Sequence, residues 1–301
     1  MNIRFGVSPI AWINDDLPEL GGETPVETVL RDAHALGFEG IELGGKFPRD
    51  PAQLGAQLGA HQLALIGGWW SAALLSRSVD QEIEALQGHL QLLETLGSSV
   101  FIIAECSNTV HGDRTRPLAA TPRLAEAQWP AFGERLSALA GYLEERGLRL
   151  AYHFHLGTVV DGEDDLERFV AHTHPRVGFV VDTGHAALGG IDAERLIRRY
   201  PDRVAHVHTK DVRRRVFDRI QAQNGSFLDG VLAGMFTAPG DGDLDFRGIA
   251  RALTDIGYGG WVVVEAEQDP ARADPLTYSR IGLETVRRLL ERPAHQSGAA
   301  P

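Results

Sequence analysis

Short, nearly continuous apolar runs alternate along the chain with longer amphipathic stretches. The runs cover Ile3–Val7, Gly40–Leu43, Leu63–Gly67, Val100–Ala104, Leu148–Tyr152, Val177–Val181, Val204–His208 and Trp261–Glu265. Runs without polar alternation are expected of parallel strands covered on both faces. Between them, Thr24–Leu36, Val79–Leu96, Ala125–Arg146, Asp192–Tyr200 and Asp245–Ile256 show helical spacing. Several of these stop at glycine (AHALGFEG, LETLGSS, EERGLRL, LTDIGYGG), the usual exit from a helix into the next strand. Eight such alternations without a break in composition predict an α/β fold, a (β/α)8 TIM barrel, in one domain over residues 1–292. The remaining PAHQSGAAP, residues 293–301, predicts a disordered tail. A doubly wound open sheet would carry a glycine-rich phosphate loop after an early strand, and SPIAWIND offers none.

Four runs in the second half end in residues able to hold a metal. LRLAYHFH brings His153 and His155, VGFVVDTGH brings Asp182 and His185, VAHVHTKD brings His208 and Asp211 with Lys210 between them, and WVVVEAE brings Glu265 and Glu267. Strand ends converge at the mouth of a barrel, and residues two apart share a face. Thus His153 can lie beside His155, and His206 beside His208, one of each pair inside and one at the rim. A mixed carboxylate and imidazole set suits Mn²⁺, Co²⁺, Fe²⁺ or Zn²⁺. Taken singly, each residue has a plainer explanation. A histidine at a strand end is usually a hydrogen-bonded rim residue, Asp182 could be only a helix N-cap, and Glu265 could pair with an arginine. Four such endings in barrel order favour a site.

Other polar groups are expected at the same mouth. Glu42 ends the second run in GIELGG, Trp69 and Trp70 follow the third, and Glu105 and Asn108 follow the fourth. The tryptophans are either core or a wall against a ring-shaped substrate, with indole N–H groups for its hydroxyls. The long segments Asn108–Gln128 and Arg213–Gly242 are natural covers over the mouth.

Composition narrows the partners. Asp and Glu outnumber Lys and Arg by 41 to 29, a net charge of −12, which disfavours nucleic acid. The run Arg213-Arg214-Arg215 sits beside Asp211 and Asp218 and reads as a solvated face. A single cysteine, Cys106, allows no disulfide framework and suits a reducing, cytoplasmic setting. No stretch has the ~20 apolar residues of a membrane span, and no signal peptide is evident.

The segments DTGH, HVHTKD and VVVE resemble the sugar phosphate isomerase/epimerase superfamily of xylose-isomerase-like barrels. Within it, YHFHLGT, SFLDGVLAGMFTAPGDGDLDF and VVEAEQDP resemble the myo-inosose-2 dehydratase family, over roughly residues 3 to 290. The resemblance implies metal-dependent dehydration of a small cyclitol ketone, 2-keto-myo-inositol, to a trihydroxycyclohexane-dione in myo-inositol catabolism. It implies α-proton abstraction, an enediolate whose charge the metal neutralises, and loss of the β-hydroxyl as water.

The superfamily binds its metal through Glu, Asp, His and Glu from successive strands. The last three fall on Asp182, His208 and Glu265. The first falls on His153, a departure, with His155 as its neighbour. The resemblance further implies Mn²⁺ or Co²⁺, glutathione dependence in some members, and homo-oligomers. Glu267, His155 and Glu42 are then unranked candidates for the base. Lys210, with a pKa lowered near the metal, and His185 are candidates for the acid or for polarising the carbonyl.

Three other readings compete. A ketose 3-epimerase or sugar isomerase shares the enediolate, but its pattern wants Glu where this chain has His153. An apurinic-site endonuclease needs a basic groove. A non-enzymatic polyol-binding barrel needs no turnover.

Overall fold

Among residues 2–291, which the computed structural model describes, eight strands close into a parallel barrel. The strands are β1 (Arg4–Val7), β2 (Gly40–Leu43), β3 (Ala64–Ala72), β4 (Val100–Glu105), β5 (Arg149–His153), β6 (Gly178–Asp182), β7 (Val204–Thr209), β8 (Asp211–Val212), β9 (Phe236–Thr237) and β10 (Trp261–Val264). The barrel order is β1-β10-β7-β6-β5-β4-β3-β2, while β8 and β9 pair separately as an antiparallel ribbon. All eight expected strands are present in the expected order. The tail 293–301 lies outside the described residues.

The apolar runs are continuous because each strand is covered twice. Outward side chains such as Phe5, Ile41, Phe101, Leu150, Phe179 and Val262 join the large core against the surrounding helices. Inward ones form a small apolar floor of Ile66, Trp261 and Val263 beside Val100, Ile102, Ala151 and Val180. This interior is tight: a Cβ on Gly6 would come within 2.1 Å of Ile66 Cδ1. Above the floor the inward positions turn polar, and the site lies there.

Two irregularities aim the side chains that matter. Ile41 pairs with Leu65 but Leu43 with Gly68, so β3 carries one extra residue at Gly67-Gly68. A bulge of this kind reverses the alternation beyond it. Trp69 therefore faces the interior and Trp70 the helix layer. A second shift lies between Phe179 and Val180, which pair with Val204 and His206. It leaves His206 and His208 both pointing inward.

The segment between β7 and β10 is more structured than a loop. It folds into helices Arg214–Ala222 and Phe227–Ala233 and the β8–β9 ribbon. Phe217, Phe227, Leu228, Val231, Met235 and Phe236 bury a second apolar cluster with Leu17 and Leu156 over the barrel mouth. Asp211 anchors the turn of the TAPGDGD motif, its carboxylate accepting from the N–H groups of Val212, Gly240, Gly242 and Leu244 at 2.8–3.0 Å.

Candidate metal centre and cavity

Four side chains at the barrel mouth each have one atom committed and one free. His153 Nδ1 donates to the Phe154 carbonyl at 2.9 Å, which leaves Nε2 with its lone pair. Asp182 caps the helix Thr183–Leu188, its Oδ1 accepting from His185 N at 2.8 Å, while Oδ2 is buried without a hydrogen-bond partner. His208 Nε2 donates to Glu42 Oε1 at 2.8 Å, and its buried Nδ1 faces the carboxylates of Asp182 and Glu265. Glu265 Oε1 receives Lys210 Nζ at 2.6 Å, which leaves Oε2. The plain reading of Asp182 as an N-cap is thus true of one oxygen only.

The free atoms converge. Asp182 Oδ2 lies 3.6 Å from His153 Nε2 and 3.6 Å from His208 Nδ1, and His208 Nδ1 lies 2.8 Å from Glu265 Oε2. Atoms bound about 2.0–2.2 Å from one ion sit at such separations from each other. His153, Asp182 and His208 are grouped closely enough to hold a metal ion. Each committed atom is tied to a carbonyl, carboxylate, amide or ammonium that fixes its orientation, as is usual around metal ligands.

Electrostatics favour a cation at this point. Burial disfavours the His208 cation, but Glu42 and Glu265 outweigh it and lift its pKa well above the ordinary range. The field that would hold a proton on Nδ1 is the field that would hold a metal ion. Burial also opposes the Asp182 carboxylate, yet the Lys210 ammonium keeps its pKa well below the ordinary value.

Lys210 sits behind the cluster, almost fully buried. Its Nζ is 3.0 Å from Glu267 Oε2, 3.1 Å from His185 Nε2 and 3.7 Å from Asp182 Oδ2. Burial works against the ammonium, but Asp182, Glu265 and Glu267 prevail and raise its pKa. Three carboxylates around Nζ thus favour the charged form of the lysine. Glu267 is shifted the other way: burial, opposed by Lys210, pushes its pKa up to about 7. Its Oε1 is buried with no partner.

The histidines beside this cluster stay neutral. His155 donates from Nδ1 to the Leu156 carbonyl at 2.8 Å and keeps Nε2 free. Burial, then His185 and His111, hold its pKa well below the ordinary value. His185 lies 3.9 Å from it, ring centre to ring centre, and packs on Phe227 and Phe236 of the cover. Burial and Lys210 depress its pKa too.

The cavity in front of these groups measures about 110 Å³ and includes Asp16, Glu42, Trp69, His153, His155, His208, Glu265 and Glu267 in its wall. Several expected residues fall elsewhere or act differently. Glu42 is in the wall, and its Oε1 accepts from both His206 and His208 at 2.8 Å, which orients His208. Trp70 points outward through the bulge, its Nε1 donating to Glu82 Oε1 at 2.7 Å. Glu105 shares the outward face of Phe101 and Ile103, and its carboxylate accepts from Leu75 N and Ser107 N. Asn108 is exposed and does not line the cavity.

Sequence reasoning passed over Asp16, from the loop after β1, and His111, from the cover after β4. Their partners are distant in the chain, and only the position of His111 inside an expected cover could have hinted at it.

The geometry has counterparts. A family model described as xylose isomerase-like TIM barrel matches residues 30–289. The rhizopine catabolism protein MocC of Rhizobium meliloti is 44% identical over 96% of this chain and 89% of its own length. The inosose dehydratase of Geobacillus thermodenitrificans is 37% identical over 95% of this chain and 96% of its own. Among solved structures, the IOLI protein with a binding zinc atom superposes with a TM-score of 0.70 at 15% identity, over 97% of this chain and all of the other, a likeness of fold.

Proposed function

We propose that this chain, which belongs to the xylose isomerase-like TIM barrel family, is a hydro-lyase that dehydrates inosose, 2-keto-myo-inositol, with a divalent ion such as Mn²⁺ or Co²⁺. The observation that carries the metal is the set of free atoms His153 Nε2, Asp182 Oδ2, His208 Nδ1 and Glu265 Oε2, converging where all their other atoms are tied. The inosose dehydratase relatives over nearly the whole chain support the reaction.

A bound ion would supply Lewis-acid chemistry, neutralising negative charge on a ketone oxygen as the α-proton leaves. The chain supplies the proton handling. Glu267 takes the α-proton: it lines the cavity, has a free oxygen, and has a pKa near neutrality, where a general base works best. Lys210 holds its other oxygen and fixes its direction. The protonated carboxyl then stands on the same wall to protonate the departing β-hydroxyl. His155 offers Nε2 as an acceptor for a ring hydroxyl. Trp69 lies edge-on to His153 and His155 at 5.4 and 5.5 Å and closes the wall with an apolar ring.

The test is to incubate metal-stripped protein with 2-keto-myo-inositol, with and without Mn²⁺ or Co²⁺, and follow ultraviolet absorbance of the enolised diketone. Metal-dependent absorbance is expected. Deuterium uptake from heavy water at the α-carbon without absorbance would move the epimerase reading ahead. Absence of both signals would overturn the enzymatic reading.

A further inference from the structure

Asp16 and His111 are buried or half-buried polar groups that the metal centre does not use. Two loops bring them together. Asn14 is buried and its Oδ1 accepts from Asp16 N and Leu17 N, both at 2.8 Å, in an Asx turn that fixes Asp16. Leu17 is in turn buried in the cover cluster. On the other side, Gly157 of the YHFHLGT segment has φ +83°, and its carbonyl accepts from Val110 N at 2.9 Å and Thr109 Oγ1 at 2.8 Å. A Cβ at Gly157 would lie 3.0 Å from His111 N. The glycine thus allows the loop bearing His111 to dock.

The hydrogen bonds define the His111 tautomer. The single hydroxyl hydrogen of Thr109 goes to Gly157, so Thr109 Oγ1 must accept from His111 Nδ1. Burial, opposed by Asp16, lowers the His111 pKa and favours the neutral ring, in which Nδ1 carries the hydrogen and Nε2 presents a lone pair. That lone pair lies 3.8 Å from Asp16 Oδ1, beyond hydrogen-bond distance, in a side chain only 8% exposed. Two acceptors face each other: Asp16 lines the cavity, and His111 packs against Trp69 and His155 of its wall. Donors placed between them would satisfy both. One hydroxyl has one hydrogen and can serve only one of them; two adjacent hydroxyls can serve both.

We propose that Asp16 Oδ1 and His111 Nε2 together receive a vicinal diol of the substrate ring, making the pair a recognition element for adjacent hydroxyls. The proposal rests on the reading that the substrate is a cyclitol ketone. It assigns the HLGT and WIND segments a common purpose: to hold two acceptors at the separation a diol spans.

Chemically matched variants test it. His111→Asn keeps a donor near Nδ1 for Thr109 but removes the Nε2 acceptor, whereas His111→Gln keeps an acceptor near Nε2. Asp16→Ala removes the other acceptor. With 2-keto-myo-inositol and the metal-loaded enzyme, KM should rise about 10- to 100-fold in His111→Asn and Asp16→Ala. His111→Gln should recover part of that loss, and bound metal should be unchanged in all three.

The double variant should cost less than the sum of the two, because one diol serves both acceptors. Unchanged KM in both single variants would overturn the proposal, as would loss of metal in step with KM. If the wild type does not turn the ketone over, calorimetric binding of the same ketone decides separately. Weaker binding in the variants supports the diol site, while equal binding, or none by the wild type, overturns it.

Discussion

Gly184 lies against the side chain of Lys210, so close that a Cβ at 184 would stand 2.8 Å from Lys210 Cγ and 2.9 Å from Cδ. The glycine of DTGH is therefore the space through which the lysine stem reaches Glu265 and Glu267. Helix and strand are further tied by Thr183 Oγ1, which donates to the Lys210 carbonyl at 2.7 Å and accepts from Lys210 N at 2.9 Å. Gly184→Ala should destabilise the fold by about 1–3 kcal/mol through overpacking and lower kcat by displacing the ammonium. Chemical denaturation together with turnover checks this. An unchanged midpoint and unchanged kcat would mean that the stem has room to move.

Lys210→Met isolates the charge from the stem. It leaves the buried carboxylates of Glu265 and Glu267 without their cation, a loss on the order of 3–5 kcal/mol. Bound metal should remain while turnover falls. The double variant Lys210→Met/Glu267→Gln should recover stability but not activity. If Lys210→Met turned over at the wild-type rate, the lysine would be a bystander.

The two oxygens of Asp182 can be separated by Asp182→Asn. Asn is an equally good N-cap, so the helix Thr183–Leu188 should persist. The charged oxygen facing His153 and His208 is lost, and bound metal, measured by elemental analysis, should fall with activity. Glu42→Gln should weaken metal binding more gently, about 10- to 100-fold, because Glu42 only orients His208. Full metal occupancy in Asp182→Asn would sink the assignment of that oxygen.

The two tryptophans of β3 should part company. Trp70→Phe leaves Glu82 Oε1, in a fully buried carboxylate, without its indole donor and should cost about 1–3 kcal/mol of stability with KM unchanged. Trp69→Phe alters the cavity wall and should raise KM with little change in stability. Equal effects on KM would contradict the bulge as the device that aims them.

Much of this architecture is legible in the chain because burial on both faces makes parallel strands continuous apolar runs, as in VFIIAE and WVVV. The strand-end residues His153, Asp182, His208 and Glu265 are legible because each lies two positions beyond an inward-facing residue of such a run, whereas Glu105, two beyond outward Ile103, faces away from the mouth. What depends on a side chain's direction is not. GlyGly in β3 inverts the alternation, so Trp70 and Trp69 exchange the faces that simple counting assigns. Glu42 is spoken for by His206 and His208, 164 and 166 positions away. Asp16 and His111 meet only because separate loops dock over the barrel. No local pattern encodes such meetings.

His89 sets an acid limit that is independent of the metal. It packs between Trp70 and Phe101, with Nε2 3.3 Å from the Gly68 carbonyl. Burial pushes its pKa down to about 4, partly opposed by the Gly68 carbonyl and helped by Arg49. In the unfolded chain an ordinary histidine titrates near 6.5. Above that value neither state binds the proton and the site costs nothing. As pH falls from about 6.5 towards about 4 the unfolded state is protonated first, so stability drops; below about 4 the folded state is protonated too and the loss levels off. At pH 5 the loss is on the order of 1–2 kcal/mol. Denaturation midpoints at pH 7.5 and pH 5 should therefore lie closer together in His89→Gln than in the wild type. An identical pH dependence in the two proteins would show that His89 is protonated in the folded state as readily as in the unfolded chain.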